Sequence, residues 1–314
     1  MPYNNNSERN IKALTNPDVV ISQVVSDFKL SEDVLRDWKT KIEKYYELYG
    51  MVQRKRHYDG LAKIFVPETL RAVETITAKI YQIITGQPDW FQYGGRDGNG
   101  DEGPAIAMTE LVRYQMGENG FKSKLMDTIR QMVIAGLCVR KILWDYQEVT
   151  RRKSGDETFP ETVRDTWTME PVDLLSFHIS DINIPYNDLQ KAMWIGEQYL
   201  VRKNWVSEKI RLGWFSSAMK AELDSTPEAS ASDASQRRDS ANQTSGFSNI
   251  SKKDKYEIIE RWGLCPVEWV LIPEEMQAQN YSEGELIESV IVLGNRKAIL
   301  KLEVNPFYHG QKPY

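Results

Sequence analysis

Few residues in this chain stand at spacings that could do covalent chemistry. The three histidines, His57, His178 and His309, are far apart, and there is neither a His-Glu-x-x-His helix nor a Cys-x-x-Cys pair, so no zinc ligand set is legible. A Gly-x-Ser-x-Gly nucleophile elbow is also missing. The glycine-rich run GGRDGNGDEG, residues 94–103, invites two readings. As a phosphate cradle it lacks the Gly-Lys-Ser/Thr ending. As a calcium loop it supplies Asp97, Asn99 and Asp101, but Glu102 stands where the sharp-turn glycine belongs and Met108 where the bidentate glutamate belongs. It reads as an exposed, turn-rich loop between two helices. The acidic residues fall mostly at helix-surface spacing. No catalytic residue, metal or cofactor is assigned, and the chain is read as a non-enzyme.

Charge and aromatic patterning offer more. Arg54, Lys55 and Arg56, followed by His57, form a basic run that could meet nucleic-acid phosphates or simply solvate a connection between helices. Lys252, Lys253 and Lys255, at the edge of a serine-rich stretch, carry the same two readings. In MVIAGLCVRKILWDY, residues 132–146, an apolar helix face runs into Gly136 and re-emerges as a strand with Arg140 and Lys141 at its centre. Alternation sets Arg140 with Cys138, Ile142 and Trp144, and Lys141 with Val139 and Leu143. Neither face is cleanly solvated, so both charges are read as lying where this subunit meets a neighbour or another domain, with Arg140, Lys141 and Trp144 as the candidate intersubunit seam. Cys138 and Cys265 are read as reduced, buried thiols.

Whole-chain properties bound the rest. The 314 residues suffice for two domains, and 41% hydrophobic with 27% charged content allows an ordinary core. Nine tryptophans and fifteen tyrosines suit buried protein contacts. A net charge of -5 and a pI near 5.5 argue against a protein that coats nucleic acid. No apolar run reaches the ~20 residues of a membrane span, and the amino terminus lacks the pattern of a secretory signal, so synthesis in the cytoplasm is expected.

The elements that must position these residues follow from periodicity. Residues 1–30 are read as a mobile arm able to dock on a neighbour. A helix is predicted from an N-cap at Ser31, through Val34, Trp38, Ile42, Tyr45 and Tyr49, to a stop at Gly50. A second runs from Pro67 to Gly86 with Leu70, Val73, Thr77, Ile80 and Ile84 as one stripe. Further helices are expected over 105–116 and 121–135. Short strands follow over 138–146, 166–180 and 193–202, the last half-buried, with a loop over 180–188 and a helix over 205–215. Residues 216–253 are too polar to offset their chain entropy and are read as a mobile loop. Order returns with YEIIERWG and SVIVLGNRKAILKLE, the latter folded back at Gly294-Asn295. The fold class is therefore α+β: a helical region over 31–136, a β-rich region over 137–215, and a second β-rich segment over 254–314.

Three stretches, in this order and separation, carry a resemblance. The first is YDGLAKIFVPETLRAVETITAKIYQIITGQPDWFQYGG, with its Ile-Phe-Val-Pro lead, Glu-Thr-Ile helix, Gly-Gln-Pro exit and aromatic strand. The second is the Ala-Gly corner continuing as Val-Arg-Lys-Ile-Leu-Trp-Asp, and the third is NPFYHGQKPY, residues 305–314. Together they resemble portal proteins of tailed bacteriophages, particularly the short-tailed ones. Members of that family often have Gly-Thr-Gly where this chain has Gly136-Leu137-Cys138, which leaves Gly136 as the turn residue. They also usually continue beyond the last element into the helix and loop lining a DNA channel, so the chain is expected to be incomplete after Tyr314. The resemblance implies the wing of a portal subunit, one of a ring of about twelve at a capsid vertex of the virion, assembled in the host cytoplasm. Double-stranded DNA would pass through the ring during packaging and ejection. Its implied partners are further copies of itself, the large terminase, tail adaptors, and capsid and scaffolding proteins, with no membrane. The alternative is a cytosolic α+β enzyme or regulator acting on a small ligand.

Overall fold

The computed structural model describes residues 6–14, 16–51, 66–87, 90–95, 102–152, 158–181, 183–184, 188–225, 255–270, 282, 284–307 and 309–314. The fold is α+β, with a helical first half followed by antiparallel strands. Two compact units form: one from residues 1–43, 173–312 and 314, the other from residues 44–172 and 313. Boundaries therefore fall near 43 and 172, not at the change of periodicity around 136. Residues 17–43, most of the long helix α2 (Pro17–Tyr49), fold with strands far along the chain.

The first unit is built on a five-stranded antiparallel meander, β3 (Phe177–Ile179), β4 (Trp194–Arg202), β5 (Lys255–Pro266), β6 (Leu286–Gly294) and β7 (Ala298–Val304), in spatial order β3-β4-β5-β6-β7. Both faces are covered, so β6 and β7 are buried along nearly their whole length. On one face lie Ile259, Ile291, Leu293, Ile299 and Leu302 against Ile11 of α1 (Asn6–Ala13) and Val20, Ile21, Val24 and Phe28 of α2 (Pro17–Tyr49). On the other lie Ile258, Trp262, Val290, Val292 and Leu300 against Val206 of α6 (Lys203–Arg211) and Leu223 of α7 (Lys220–Ser225). Each fully buried aliphatic side chain contributes about 1.5–3 kcal/mol relative to exposure. Strand β4, expected from alternation to be half-buried, is buried from Trp194 to Gly196 and only partly buried from Tyr199 to Val201.

Three further expectations change here. The arm assigned to residues 1–30 is helical from Asn6 and is core material, because Val20, Ile21, Val24 and Phe28 continue the stripe of Leu35 and Ile42. Pro17 opens that helix at the position where its missing N–H costs nothing. Ser31 is not a cap; it is buried in mid-helix, and its Oγ accepts the Ile179 N–H of edge strand β3 at 3.1 Å. Residues 216–225 of the expected mobile loop include α7, anchored by Leu223; residues 226–253 lie outside the described residues. The hairpin after β6 is present, centred on Asn295 and Arg296, both at positive φ, with Lys297 N–H donating to Gly294 O.

The second unit packs α3 (Glu68–Thr85), α4 (Glu102–Glu118) and α5 (Phe121–Ala135) with a long two-stranded ribbon, β1 (Val139–Arg152) and β2 (Thr158–Val172). In α3 Val73 and Thr77 are buried and Leu70, Ile80 and Ile84 half-buried, as the stripe requires. Helix α5 ends at Gly136, whose φ of 76° is left-handed and whose N–H donates to Met132 O at 2.8 Å. That cap lets the chain leave the helix and start β1. The expected strand over 166–180 is split: Val172 ends β2, and β3 belongs to the other unit. The aromatic stretch after Gly86, residues 90–95, joins no ladder.

Tyr49 Oη, Glu74 and Arg130 tie α2, α3 and α5 together. The hydroxyl donates to Glu74 Oε1 at 2.5 Å, and Arg130 reaches both carboxylate oxygens, at 2.8 and 3.3 Å. Among the described residues no helix is long and apolar enough to cross a membrane.

Candidate functional site

The ribbon carries the residues singled out by sequence. Register pairs Ile142 with Met169, Trp144 with Trp167 and Lys141 with Glu170. Helix α5 lies on the ribbon along most of its length: Lys124 Nζ donates to Thr168 Oγ1 at 2.6 Å and to Glu170 at 3.0 Å, and Gln131 Nε2 to Val172 O at 2.8 Å. Arg140 is half-buried and donates through Nη2 to Lys124 O at 3.3 Å. Burial pulls its pKa down, because desolvation disfavours the charged form. Lys141 is only 6% exposed, so the chain itself already covers it. Trp144 is 50% exposed, with its indole N–H on Asp165 Oδ1 at 2.8 Å. Of the three seam residues, Trp144 alone offers a large accessible surface. Arg54, Lys55, Arg56 and His57, together with Asp97, Asn99 and Asp101, lie outside the described residues, as do Lys252 and Lys253.

The accessible apolar surface of this unit extends well beyond Trp144. In α4, Ala105, Thr109, Val112 and Met116 turn inward, Thr109 Oγ1 accepting the Tyr93 N–H at 3.0 Å. Exposed apolar residues also stand outside that stripe: Ile106 and Tyr114 are 65% and 68% exposed, and Met108 and Leu111 48% and 50%, interspersed with Glu110 and Glu118. Large apolar side chains on the outer side of a helix are ordinarily covered by a neighbour. Ile83 of α3 is 80% exposed, and Ile142, Val149 and Val163 extend the apolar surface along the ribbon. The signal for α4 was present in the sequence, as apolar residues off the core stripe, but it can be read only once the helix phase is known. An aromatic run, Trp90 on Phe121 and Phe121 on Trp167, each at 5.9 Å between centroids, packs α5 to the ribbon.

In the first unit, polar chemistry collects where α2 crosses β3, β4 and β5, and periodicity did not reveal it. Lys39 and His178 are each 0% exposed. Lys39 Nζ donates to Glu32 Oε2 at 2.6 Å and faces His178 Nε2 at 3.3 Å. Lysine has no acceptor to offer, so Nε2 accepts and the imidazole proton sits on Nδ1. The ring lies 4.8 Å from Phe28. Burial first, then the charges of Lys39 and Arg296, hold His178 well below its ordinary pKa of 6.5. Alongside, Arg261 pairs with Asp27 at 3.3 Å, and Glu257 takes Arg296 at 2.9 Å and Gln198 at 2.5 Å. Gly196 makes the helix approach possible: a Cβ there would come 2.5 Å from Phe28 Cζ. Glu32 and Lys39 stand seven residues apart, two helical turns, a relation hidden while Ser31 was read as the helix start.

Except for Pro313, the described residues of the NPFYHGQKPY segment belong to the same unit. Asn305 Nδ2 donates to Gln311 O, and its Oδ1 accepts the Phe307 N–H, both at 3.0 Å. Phe307 stacks between Trp262 and His309. Lys312 Nζ donates to Glu288 at 2.9 Å, and Tyr314 Oη to Glu197 at 2.8 Å. Cys138 is half-buried and Cys265 buried, both free thiols whose pKa burial raises. Among the described residues no group of three or more histidine, cysteine or acidic side chains could hold a metal ion. No protein-family model matches the chain, and no curated protein matches it.

Proposed function

We propose that the chain is a subunit of a phage portal ring, a conduit for double-stranded DNA at the capsid vertex and a platform for the packaging motor and tail adaptors. The reading starts from the ordered resemblance of the Ile-Phe-Val-Pro helix, the Ala-Gly corner and the Asn-Pro-Phe element. The observation that carries it furthest is the set of large apolar residues exposed on α4 outside its core stripe, Ile106, Leu111 and Tyr114. Surfaces of this kind mark protein contacts. A ring needs heterologous contacts, in which one surface of each subunit meets a different surface of the next. In the second unit, the α4 face and the Trp144 side of the ribbon are candidates for two such surfaces. A conduit also favours weak phosphate contacts, consistent with a net charge of -5.

The test is the mass of the purified full gene product by native mass spectrometry or mass photometry, with electron microscopy of the particles. A closed ring with a central hole is the expected result. A persistent monomer or dimer that binds a small metabolite overturns the reading in favour of an α+β enzyme or regulator.

A further inference from the structure

We infer that Glu32, Lys39 and His178 form an acid-sensitive latch holding the middle of α2 against edge strand β3. Three observations carry it. The two cationic-capable groups, Lys39 and His178, are 0% exposed and 3.3 Å apart, so a second positive charge has no water to screen it. Glu32 is the counter-ion both share, at 2.6 Å from Lys39 Nζ and 3.6 Å from His178 Nε2. And β3 is a three-residue edge strand whose Ile179 N–H is taken by Ser31 of the same helix, so α2 shields an edge that could otherwise pair elsewhere.

Among the described residues, the charges of Lys39 and Arg296 act on His178, and the nearby Asp27 and Glu257 carboxylates are paired with arginines. Arg296, in the turn between β6 and β7, adds positive potential and pairs with Glu257. Arg261 of β5 pairs with Asp27 of α2. His178 Nδ1 is buried with no hydrogen-bond partner among the described residues. Protonating His178 therefore sets an imidazolium against the Lys39 ammonium, and the system relieves this by lifting α2 away from β3 so that the ring reaches water. The consequence is exposure of the β3 edge and of the Phe28–Trp194 stack at acid pH.

Hydrogen exchange of the full chain, followed by mass spectrometry from about pH 7.5 to about pH 4.5 and corrected for intrinsic rates, reads the latch directly. Opening of the α2 segment around 28–39 and of β3 is expected to rise about tenfold per pH unit below 6.5, the slope of one linked proton. H178F keeps a ring against Phe28 and should remove the slope. K39M removes the ammonium at 3.3 Å and leaves Glu32 as the near counter-ion, so protonation is better tolerated and the slope should flatten; it decides the matter if H178F does not fold. Protection that does not change with pH in the wild type, or a slope unchanged in K39M, overturns the inference.

Discussion

Single side chains decide how closely the layers approach. Gly196 lies under the Phe28 ring, and Gly196→Ala is expected to cost about 1–3 kcal/mol, since the ring or the β4 backbone must shift. Thermal unfolding of the purified variant measures it. Arg140 and Lys141 are marked by sequence because neither face of their strand looks cleanly solvated; that holds for Lys141, while Ile142 and Trp144 on the Arg140 side are exposed. The burial is intramolecular, however: Lys141 is 6% exposed and Arg140 leans on the Lys124 carbonyl. Lys141→Ala is thus expected to lower the melting temperature, while Trp144→Ala, at a half-exposed site, should act on assembly. Comparing melting with particle mass for each variant separates the two. No periodicity argument could have found His178 and Lys39 together, because 139 residues separate them and only the sheet brings them within reach.

At the scale of elements, the clamp of Tyr49, Glu74 and Arg130 predicts a pH response in the second unit. Hydrogen bonds from Arg130 and Tyr49 hold the Glu74 carboxyl below its ordinary pKa of 4.5. A lowered carboxylate pKa means stability fully present above 4.5 and lost as pH falls through the lower folded value. His178 also titrates below its ordinary value, so its contribution is fully present above 6.5 and declines as pH falls from there. Chemical denaturation across this range should show E74Q flattening the lower part of the profile, by at most about 1 kcal/mol because the carboxylate is partly solvated. For α4, a double substitution, Leu111→Glu with Tyr114→Glu, should leave the melting temperature nearly unchanged, since both side chains point outward. In the proposed ring the same pair should reduce particle mass to that of the free subunit.

The whole molecule is acidic, and the proposed conduit should hold DNA weakly. Retention of double-stranded DNA on the immobilised protein is expected to vanish by about 0.15 M salt, whereas a clamp with many phosphate contacts would persist into that range at measurable affinity. Fluorescence anisotropy against salt gives the slope. The division into units also matters at this scale. Residues 1–43 fold with 173–312, so removing the first thirty residues should unfold the sheet unit instead of trimming a tail.

Local pattern alone determined the helix-then-strand order, the α3 stripe, the Gly136 corner and the turn after β6, because each depends on residues within a few positions of one another. The start of α2 was misread for the same reason. Ser31-Glu32-Asp33 has the chemistry of an N-cap, and only the packed sheet shows that the serine hydroxyl serves Ile179 instead. Tertiary structure decided which strand pairs with which, that α2 closes over β3 to β5, and that Lys39 meets His178 in a dry site. These depend on contacts between residues distant in sequence, whose free energy comes from burial and paired charge, and periodicity carries no record of the partner.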